Sequence, residues 1–364
     1  MLSPKTRRHV SRILPFGVIW LVFSLVYSLL EKGILGDINY YPSTGNPYNF
    51  NQSIFITPIS AVIAGLLIGT LEILYLNKWF NQKSFTKKIA YKSLIYLAII
   101  ISFLITTSLI AHAVDLHTSI LNKQVWSYAL AFVSDYAFLS VALYMTAIIV
   151  VSQFYAEVSE NIGHGVLNNF FTGKYHAPTE EDRIFMFLDM RSSSTIAENL
   201  GHVRYFEMLR EYYSDMSEAI IEHSGEIYQF VGDEIIVTWP LGSGLKENNC
   251  VECFFAIQAA VKKQSKKYTE RFGVFPSFKA GIHMGKVTTG EIGDIKKEII
   301  FTGDVLNTTS RIQGLCNIYN VDILISEKLM SHLNLKSQFQ IKAFGENELK
   351  GKDEKIELFT IRRL

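Results

Sequence analysis

Long apolar stretches occur only in the first 155 residues of the chain. They form four windows, at Ile13–Leu30, Ile54–Leu76, Ser93–Val114 and Trp126–Val151. A helix needs about 20 predominantly apolar residues to cross about 30 Å of hydrocarbon, and the windows have this length. The pattern therefore predicts an N-terminal all-α bundle of four transmembrane helices, with the lipid bilayer as its partner.

The basic residues near these windows are distributed unevenly. Two flanks are rich in Lys and Arg: the segment before the first window and the loop between the second and third, which includes Lys92. The other two loops hold only Lys32 and Lys123. Because cytoplasmic loops carry the excess of Lys and Arg, we expect both termini in the cytoplasm. The protein is thus predicted to be a multi-pass protein of the inner (plasma) membrane.

Three ionisable residues, Glu72, His112 and Asp135, lie within these windows. By helix counting, Asp135 falls near the middle of the bilayer and the other two near its faces. Charge inside a membrane is costly, which favours a role in ligand sensing or proton coupling. The alternative is that Glu72 and His112 reach the interface and that Asp135 hydrogen-bonds a neighbouring helix.

Apolar residues continue every fourth position after the last window, at Phe154, Val158, Ile162 and Val166. This spacing is typical of one face of a helix. It predicts either a signalling helix that pairs with a second copy or a plain linker. We place the transmembrane domain at 1–152, this helix or linker at 153–182 and a cytoplasmic domain at 183–364.

The cytoplasmic part alternates between strand and helix patterns. A short apolar run predicts a buried strand at Ile184–Leu188, and a helix at Thr195–Ser217 opens with a Thr195–Glu198 capping box. Further strands are expected at Glu226–Val231, Glu234–Trp239, Phe278–His283, Ile299–Phe301, Val321–Ile325 and Ile356–Ile361. Two further helices are expected between them, at Cys250–Phe272 and Val305–Cys316. The sequence predicts an α+β domain on the ferredoxin-like plan.

Charge and composition fit two environments. The chain is 49% hydrophobic and has a net charge of +1. That total hides +6 in residues 1–155 and −5 in residues 156–364. The apolar content excludes a disordered protein, and the near-neutral total without a basic stripe argues against a nucleic-acid partner.

Two carboxylates stand where strands end. Asp189 follows the first predicted strand, and Asp233 lies at the tip of a Gly-Asp hairpin. If the strands are neighbours, the two carboxylates meet and repel, and a divalent ion such as Mg²⁺ removes the repulsion. The segment Ser192–Thr195 opens the next helix, whose N-terminal amides are suited to phosphate.

Several ordered motifs of the cytoplasmic part resemble those of the class III nucleotidyl cyclases, the adenylate and guanylate cyclases. They are FLDMRSSS at Phe187–Ser194, GEIYQFVGDEI at Gly225–Ile235, GIHMGKVTTGEIGD at Gly281–Asp294, TGDVLNTTSR at Thr302–Arg311 and ELKGK at Glu348–Lys352. The resemblance covers about Arg183 to Ile361. It implies a ferredoxin-like catalytic domain that acts as a head-to-tail homodimer with composite sites at the interface.

The resemblance also implies roles for particular residues. Asp189, the backbone carbonyl of Met190 and Asp233 would bind two divalent cations, Mg²⁺ or Mn²⁺. Asn307 and Arg311 would orient the ribose and stabilise the reacting phosphorus. Lys350, with Lys352 as the alternative, would contact the terminal phosphates of the nucleotide, and Arg191 is a weaker candidate for similar work.

The positions that choose the base depart from the family pattern. They are Gln229 and Ile300, and Thr302 lies close enough to supply a polar contact. Gln can read either purine, whereas Ile cannot hydrogen-bond. Because no guanine-reading Glu stands at position 229, we expect an adenylate cyclase that converts ATP to cyclic AMP and pyrophosphate. A guanylate cyclase acting on GTP and a degenerate nucleotide-binding receptor module remain open.

Overall fold

The computed structural model describes residues 3–42, 47–80, 83–335, 338–349 and 355–364. Its contacts divide the chain into two compact units, Thr6–Asn168 and a second unit that contains Asn169–Leu364.

The first unit is helical. Its elements are α1 Pro4–Leu35, α2 Phe50–Leu71 with a π-helical turn at Glu72–Leu76, α3 Asn77–Trp79, α4 Phe85–Asp115, α5 Lys123–Val133 and α6 Tyr136–Ile162. Among the described residues, four stretches are long and apolar enough to cross a membrane: Pro4–Leu35, Phe50–Leu76, Phe85–Val114 and Phe138–Ile162. The expected set of four apolar helices is therefore confirmed.

The limits of the fourth window were wrong. The backbone leaves the helix at Ser134, so that the predicted single helix Trp126–Val151 is split between α5 and α6. Asp135 lies at this break, before the apolar stretch Phe138–Ile162 begins. It therefore lies outside this apolar stretch, whereas helix counting had placed it near the middle of the bilayer.

A buried ionic cluster joins three helical segments of this unit. The Lys92 ammonium of α4 donates to Glu72 Oε1 at 2.6 Å and to Glu157 Oε1 at 2.7 Å. The three side chains are at most 1% exposed. Tyr96 donates to the other oxygen of Glu72 at 3.0 Å. Lys92, assigned above to a loop, and Glu157, which the sequence did not single out, thus complete a Glu72–Lys92–Glu157 cluster.

Helix α7, His164–Thr172, contains the boundary between the units, which falls after Asn168. The strands are β1 Thr179–Met190, β2 Glu226–Val231, β3 Glu234–Pro240, β4 Phe278–Ile292, β5 Glu298–Thr302, β6 Ile323–Ser326, β7 Phe339–Asn347 and β8 Ile356–Arg363. The helices are α8 Ser193–Leu200, α9 His202–Glu222, α10 Leu241–Leu245, α11 Asn249–Lys263, α12 Ser265–Phe272, α13 Asp304–Tyr319 and α14 Glu327–Met330.

The strands form one mixed sheet in the order β2-β3-β1-β4-β6-β8-β7, with β5 paired to β4. The first four strands give the order 2-3-1-4 with antiparallel neighbours, and helices follow β1 and β3. This is the βαββαβ arrangement, so the predicted ferredoxin-like α+β domain is confirmed.

Several element limits differ from the expectation. Gly201, at a φ of 73°, divides the first predicted helix, and the second is divided at Gln264. The expected Thr195–Glu198 capping box does not open α8, because its N-cap is Ser192 in a left-handed conformation. Strand β7 was missed, since its residues are mostly exposed and lack a clear alternation.

The two faces of the sheet are covered differently. Helices α9, α11 and α12 pack on one face through a large apolar core. Helix α13 lies on the other face, where Gly281 of β4 permits a close approach. A Cβ atom at Gly281 would stand 2.5 Å from the backbone nitrogen of Gln313. This approach brings α13 beside the end of β1.

Candidate active site

Asp189 and Asp233 meet at one end of the central strands. Asp189 is the second-last residue of β1, where it pairs with Glu234 of β3 and Lys279 of β4. Asp233 follows Gly232 at the β2–β3 hairpin, and this glycine adopts a φ of 64° that favours Gly. The structure thus brings together the two carboxylates that the sequence singled out.

Asp189 has two neighbours that the sequence did not single out. Its Oδ2 atom lies 3.2 Å from the Lys279 ammonium and accepts a hydrogen bond of 3.0 Å from the Gln313 amide. Lys279 is a charged residue inside an otherwise apolar run of β4, which was the available signal. Gln313 carried no signal, because its contact spans 124 residues of sequence.

The electrostatics of this corner suit a divalent cation. Burial, together with a hydrogen bond and charge repulsion from Asp233, raises the pKa of Asp189. Burial and the charges of Asp189 and Asp233 raise the pKa of Glu234 to about 7. Proton uptake and the Lys279 charge relieve the same repulsion that a metal ion would relieve.

The donor set fits a cation that uses few protein ligands. In the part of the chain that the structure describes, no three His, Cys, Asp or Glu side chains gather as a metal cage. Mg²⁺ is usually held by one or two carboxylates and completes its shell with waters and substrate phosphates. Asp189 and Asp233 provide that number of hard oxygen ligands.

Met190 and Arg191 follow Asp189 in the chain and point elsewhere. The Met190 side chain is buried in the core under α9 and α11, so only its backbone is available as a ligand. The Arg191 guanidinium donates to Val321 O at 2.6 Å and pairs with Asp322 at 3.0 Å. These contacts hold it at the start of β6 and away from the carboxylate pair. Helix α8 begins two residues later, at Ser193, within the segment Ser192–Thr195 that was expected to open it but before the predicted start at Thr195.

Asn307 and Arg311 lie one turn apart on α13, with Asn307 exposed and Arg311 half-buried. Gln313, which reaches Asp189, is two residues beyond Arg311 and therefore about 200° around the helix. Within one chain, the Asn307–Arg311 face consequently points away from the carboxylate pair. Neither side chain makes a hydrogen bond within the described residues.

The candidate base-reading residues lie on β2 and β5. Gln229 is exposed and follows a bulge in the β2–β3 pairing. Ile300 pairs with Gly290, and Thr302 donates to the Thr288 carbonyl at 3.3 Å. The ring of Tyr228, beside Gln229, contacts that of Phe301 at 4.8 Å. The structure therefore brings the two base-reading segments near each other.

Lys350, with the alternative Lys352, lies outside the described residues. Its role in contacting terminal phosphates stays a prediction from the motif.

The second unit is thus a ferredoxin-like α+β domain with a pair of carboxylates at one end of its sheet. Residues 176–363 match the sequence profile of the adenylate and guanylate cyclase catalytic domain. Since this match covers more than half of the chain, the protein belongs to that family.

Individual relatives agree with this assignment. The chain is 31% identical to adenylate cyclase 2 of Rhizobium meliloti over 208 residues, which are 57% of each protein. It is 28% identical to the adenylate cyclase of Anabaena cylindrica over 184 residues, 49% of this chain and 36% of that one. The chain thus spans little more than half of the first of these relatives and about a third of the second.

A bacterial light-regulated adenylyl cyclase of known structure has the same fold. It superposes with a TM-score of 0.51 at 18% identity, over 60% of this chain and 63% of that chain.

Proposed function

We propose that the protein is a membrane-anchored adenylate cyclase that converts ATP to 3′,5′-cyclic AMP and pyrophosphate for intracellular signalling. The meeting of Asp189 and Asp233 at the sheet end is the observation that carries this proposal. The adenylate cyclases of Rhizobium meliloti and Anabaena cylindrica support ATP as the substrate. The four apolar helices support anchoring in a bilayer, with the catalytic domain in the cytoplasm.

In the proposed reaction, the ribose 3′-oxygen forms a bond to the α-phosphorus while the bond to the β-phosphate oxygen breaks. Asp189 and Asp233 would hold two divalent cations, which would supply charge that lowers the pKa of the 3′-hydroxyl and offsets the triphosphate charge. Asn307 orients the ribose, and Arg311 offsets negative charge on the α-phosphoryl oxygens. Lys350 contacts the departing pyrophosphate, and the hydroxyl proton passes to solvent.

A homodimer would complete the site. Asn307 and Arg311 face away from the carboxylates of their own chain, so a second copy must present them to that pair. Two exposed apolar side chains are available for such a contact. Phe206 of α9 is 69% exposed, and Ile318, on the Asn307 face of α13, is 74% exposed. Apolar surface of this kind marks interaction sites.

The direct test is to incubate the purified full-length protein in detergent with ATP or GTP and with Mg²⁺ or Mn²⁺. We expect metal-dependent cyclic AMP and pyrophosphate, with a higher kcat/KM for ATP than for GTP. The reverse preference would indicate the guanylate cyclase, and nucleotide binding without product would indicate a degenerate receptor module.

The composite site predicts complementation between inactive variants. Random mixing of Asp189→Asn and Arg311→Ala subunits makes half of the dimers mixed, and each mixed dimer retains one intact site. Activity should therefore return to about a quarter of the wild-type value. The measurement is cyclic AMP formation after co-expression of the two chains.

The matched control is co-expression of Asp189→Asn with Asp233→Asn. Both changes lie on the carboxylate side of the site, so each composite site in the mixed dimer keeps one lesion. We expect no recovery from this pair. Equal recovery from both pairs, or none from either, would contradict the composite site.

A further inference from the structure

Three side chains from three strands interlock on the sheet face that carries Asp189: Arg183 of β1, Tyr228 of β2 and Phe301 of β5. The Phe301 ring lies 4.8 Å from the Tyr228 ring at an angle of 67°. The guanidinium carbon of Arg183 stands 4.6 Å from the centre of the Phe301 ring. Phe185 contacts the same ring edge-on at 5.6 Å. We name the first three residues the Arg183–Tyr228–Phe301 cluster.

Arg183 is held on every side by protein groups. Its side chain is 2% exposed, and Nε donates to Thr238 Oγ1 at 3.1 Å. One terminal nitrogen donates to Glu181 at 3.3 Å, and the other pairs with Glu226. A buried cation with all of these partners fixes its neighbours in place rather than binding substrate.

Tyr228 connects two strands that are not neighbours in the sheet. It occupies the bulge between Ile227 and Gln229, where an extra residue re-aims a side chain. Its hydroxyl accepts a hydrogen bond of 3.3 Å from the backbone nitrogen of Phe301. Strand β2 pairs with β3 and strand β5 with β4, so this bond joins the Tyr228 side chain of β2 to the backbone of β5.

The cluster fixes the spacing of the candidate base-reading residues. Gln229 is adjacent to Tyr228 in the chain, and Ile300 and Thr302 flank Phe301. Ile300 offers no hydrogen bond, and Gln229 can hydrogen-bond either purine. The distance between β2 and β5 therefore contributes strongly to the choice of base. This step rests on the proposed function.

We infer that Arg183 and Tyr228 are positioning residues that set the affinity for the nucleobase and the preference between ATP and GTP. They act through Phe301 and β5 and touch neither the phosphates nor the carboxylate pair. Their loss should therefore change KM and selectivity more than kcat.

The test compares Tyr228→Phe with the wild type, using full-length protein and both nucleotides. The variant keeps the ring contact and loses only the hydroxyl that pairs with Phe301, so KM for the preferred nucleotide should rise roughly three- to tenfold. We expect kcat within about twofold of wild type. The ratio of kcat/KM for ATP to that for GTP should move toward one. Arg183→Lys, which loses the planar fork, should shift KM in the same direction.

Tyr268→Phe is the matched control. Tyr268 is a buried tyrosine that donates to Asp215 at 2.6 Å on the opposite side of the sheet, whereas Tyr228 is half-buried. Removal of this hydroxyl should leave KM and nucleotide preference unchanged.

The outcomes separate the inference from the proposed function. If the wild type forms cyclic nucleotide and Tyr228→Phe keeps its KM and selectivity, the inference is wrong and the proposed function stands. If Tyr228→Phe instead loses kcat and thermal stability with an unchanged KM, the residue has a merely structural role and the inference is also wrong. If the wild type neither cyclises nor binds a fluorescent ATP or GTP analogue, the proposed function fails and the inference fails with it. If it binds without cyclising, the Kd of the analogue for each variant gives the same comparison.

Discussion

Exchange of Asp189 for Asn is expected to lower kcat for cyclic nucleotide formation by at least about a thousandfold, equivalent to about 4 kcal/mol of transition-state stabilisation. Asn keeps the size of the side chain and can still accept a hydrogen bond from Gln313. It removes the negative charge that faces Asp233 and Lys279. The change therefore tests metal binding with little change in packing. The same loss is expected for Asp233→Asn.

The measurement is turnover of ATP over a range of Mg²⁺ and Mn²⁺ concentrations, with Tm recorded for each variant. Asp182→Asn is the matched control, because Asp182 is an exposed aspartate on the same strand. It should retain wild-type turnover. Metal-dependent activity above a tenth of wild type in Asp189→Asn would contradict the assigned role.

Exchange of Lys92 for Met is expected to destabilise the helical unit by about 3–5 kcal/mol. The ammonium is the shared counter-ion of Glu72 and Glu157, and both carboxylates are buried. Its loss leaves two desolvated negative charges at one point, with Lys88 at 3.3 Å from Glu157 as the nearest remaining cation. The measurement is the unfolding of full-length protein in detergent, by heat or denaturant, together with its yield in the membrane fraction.

Lys87→Met is the control, because Lys87 is an exposed lysine on the same helix. It should unfold as the wild type does. A triple variant, Lys92→Met with Glu72→Gln and Glu157→Gln, should recover much of the lost stability, because it removes the unpaired charges. Wild-type stability in Lys92→Met alone would show that the cluster contributes nothing.

In the helical unit, the sequence pattern predicted the apolar helices but not the break in the last window or the buried ionic cluster. The four windows were found because about 20 apolar residues in succession are a local signal. The break at Ser134 and Asp135 was missed, since window averaging does not detect one interrupted turn. Lys92 was assigned to a loop for a related reason: nothing nearby in sequence shows that Glu72 and Glu157, 20 and 65 residues away, surround it.

In the catalytic domain, too, local patterns predicted the plan of the fold but not every strand or side-chain contact. The ferredoxin-like plan followed from the βαββαβ alternation and the Gly-Asp hairpin, whereas the strand order β2-β3-β1-β4 came from the structure. The edge strand β7 was not found, because an exposed edge needs no alternation. Arg191 lies two residues after Asp189, but its guanidinium lies with Val321 and Asp322, because β1 ends at Met190 and the chain turns at Arg191.

The sequence by itself determined the four apolar helices, the α+β plan, the carboxylate pair and the family motifs, because each depends on residue types at short, regular spacing. Only the tertiary structure decided that Lys279 and Gln313 contact Asp189, that Lys92 neutralises two buried glutamates and that Arg183 packs on Phe301. It also turned the Asn307 and Arg311 face of α13 away from the carboxylates of its own chain. These relations depend on strand register and on the packing of distant segments, which no local pattern encodes.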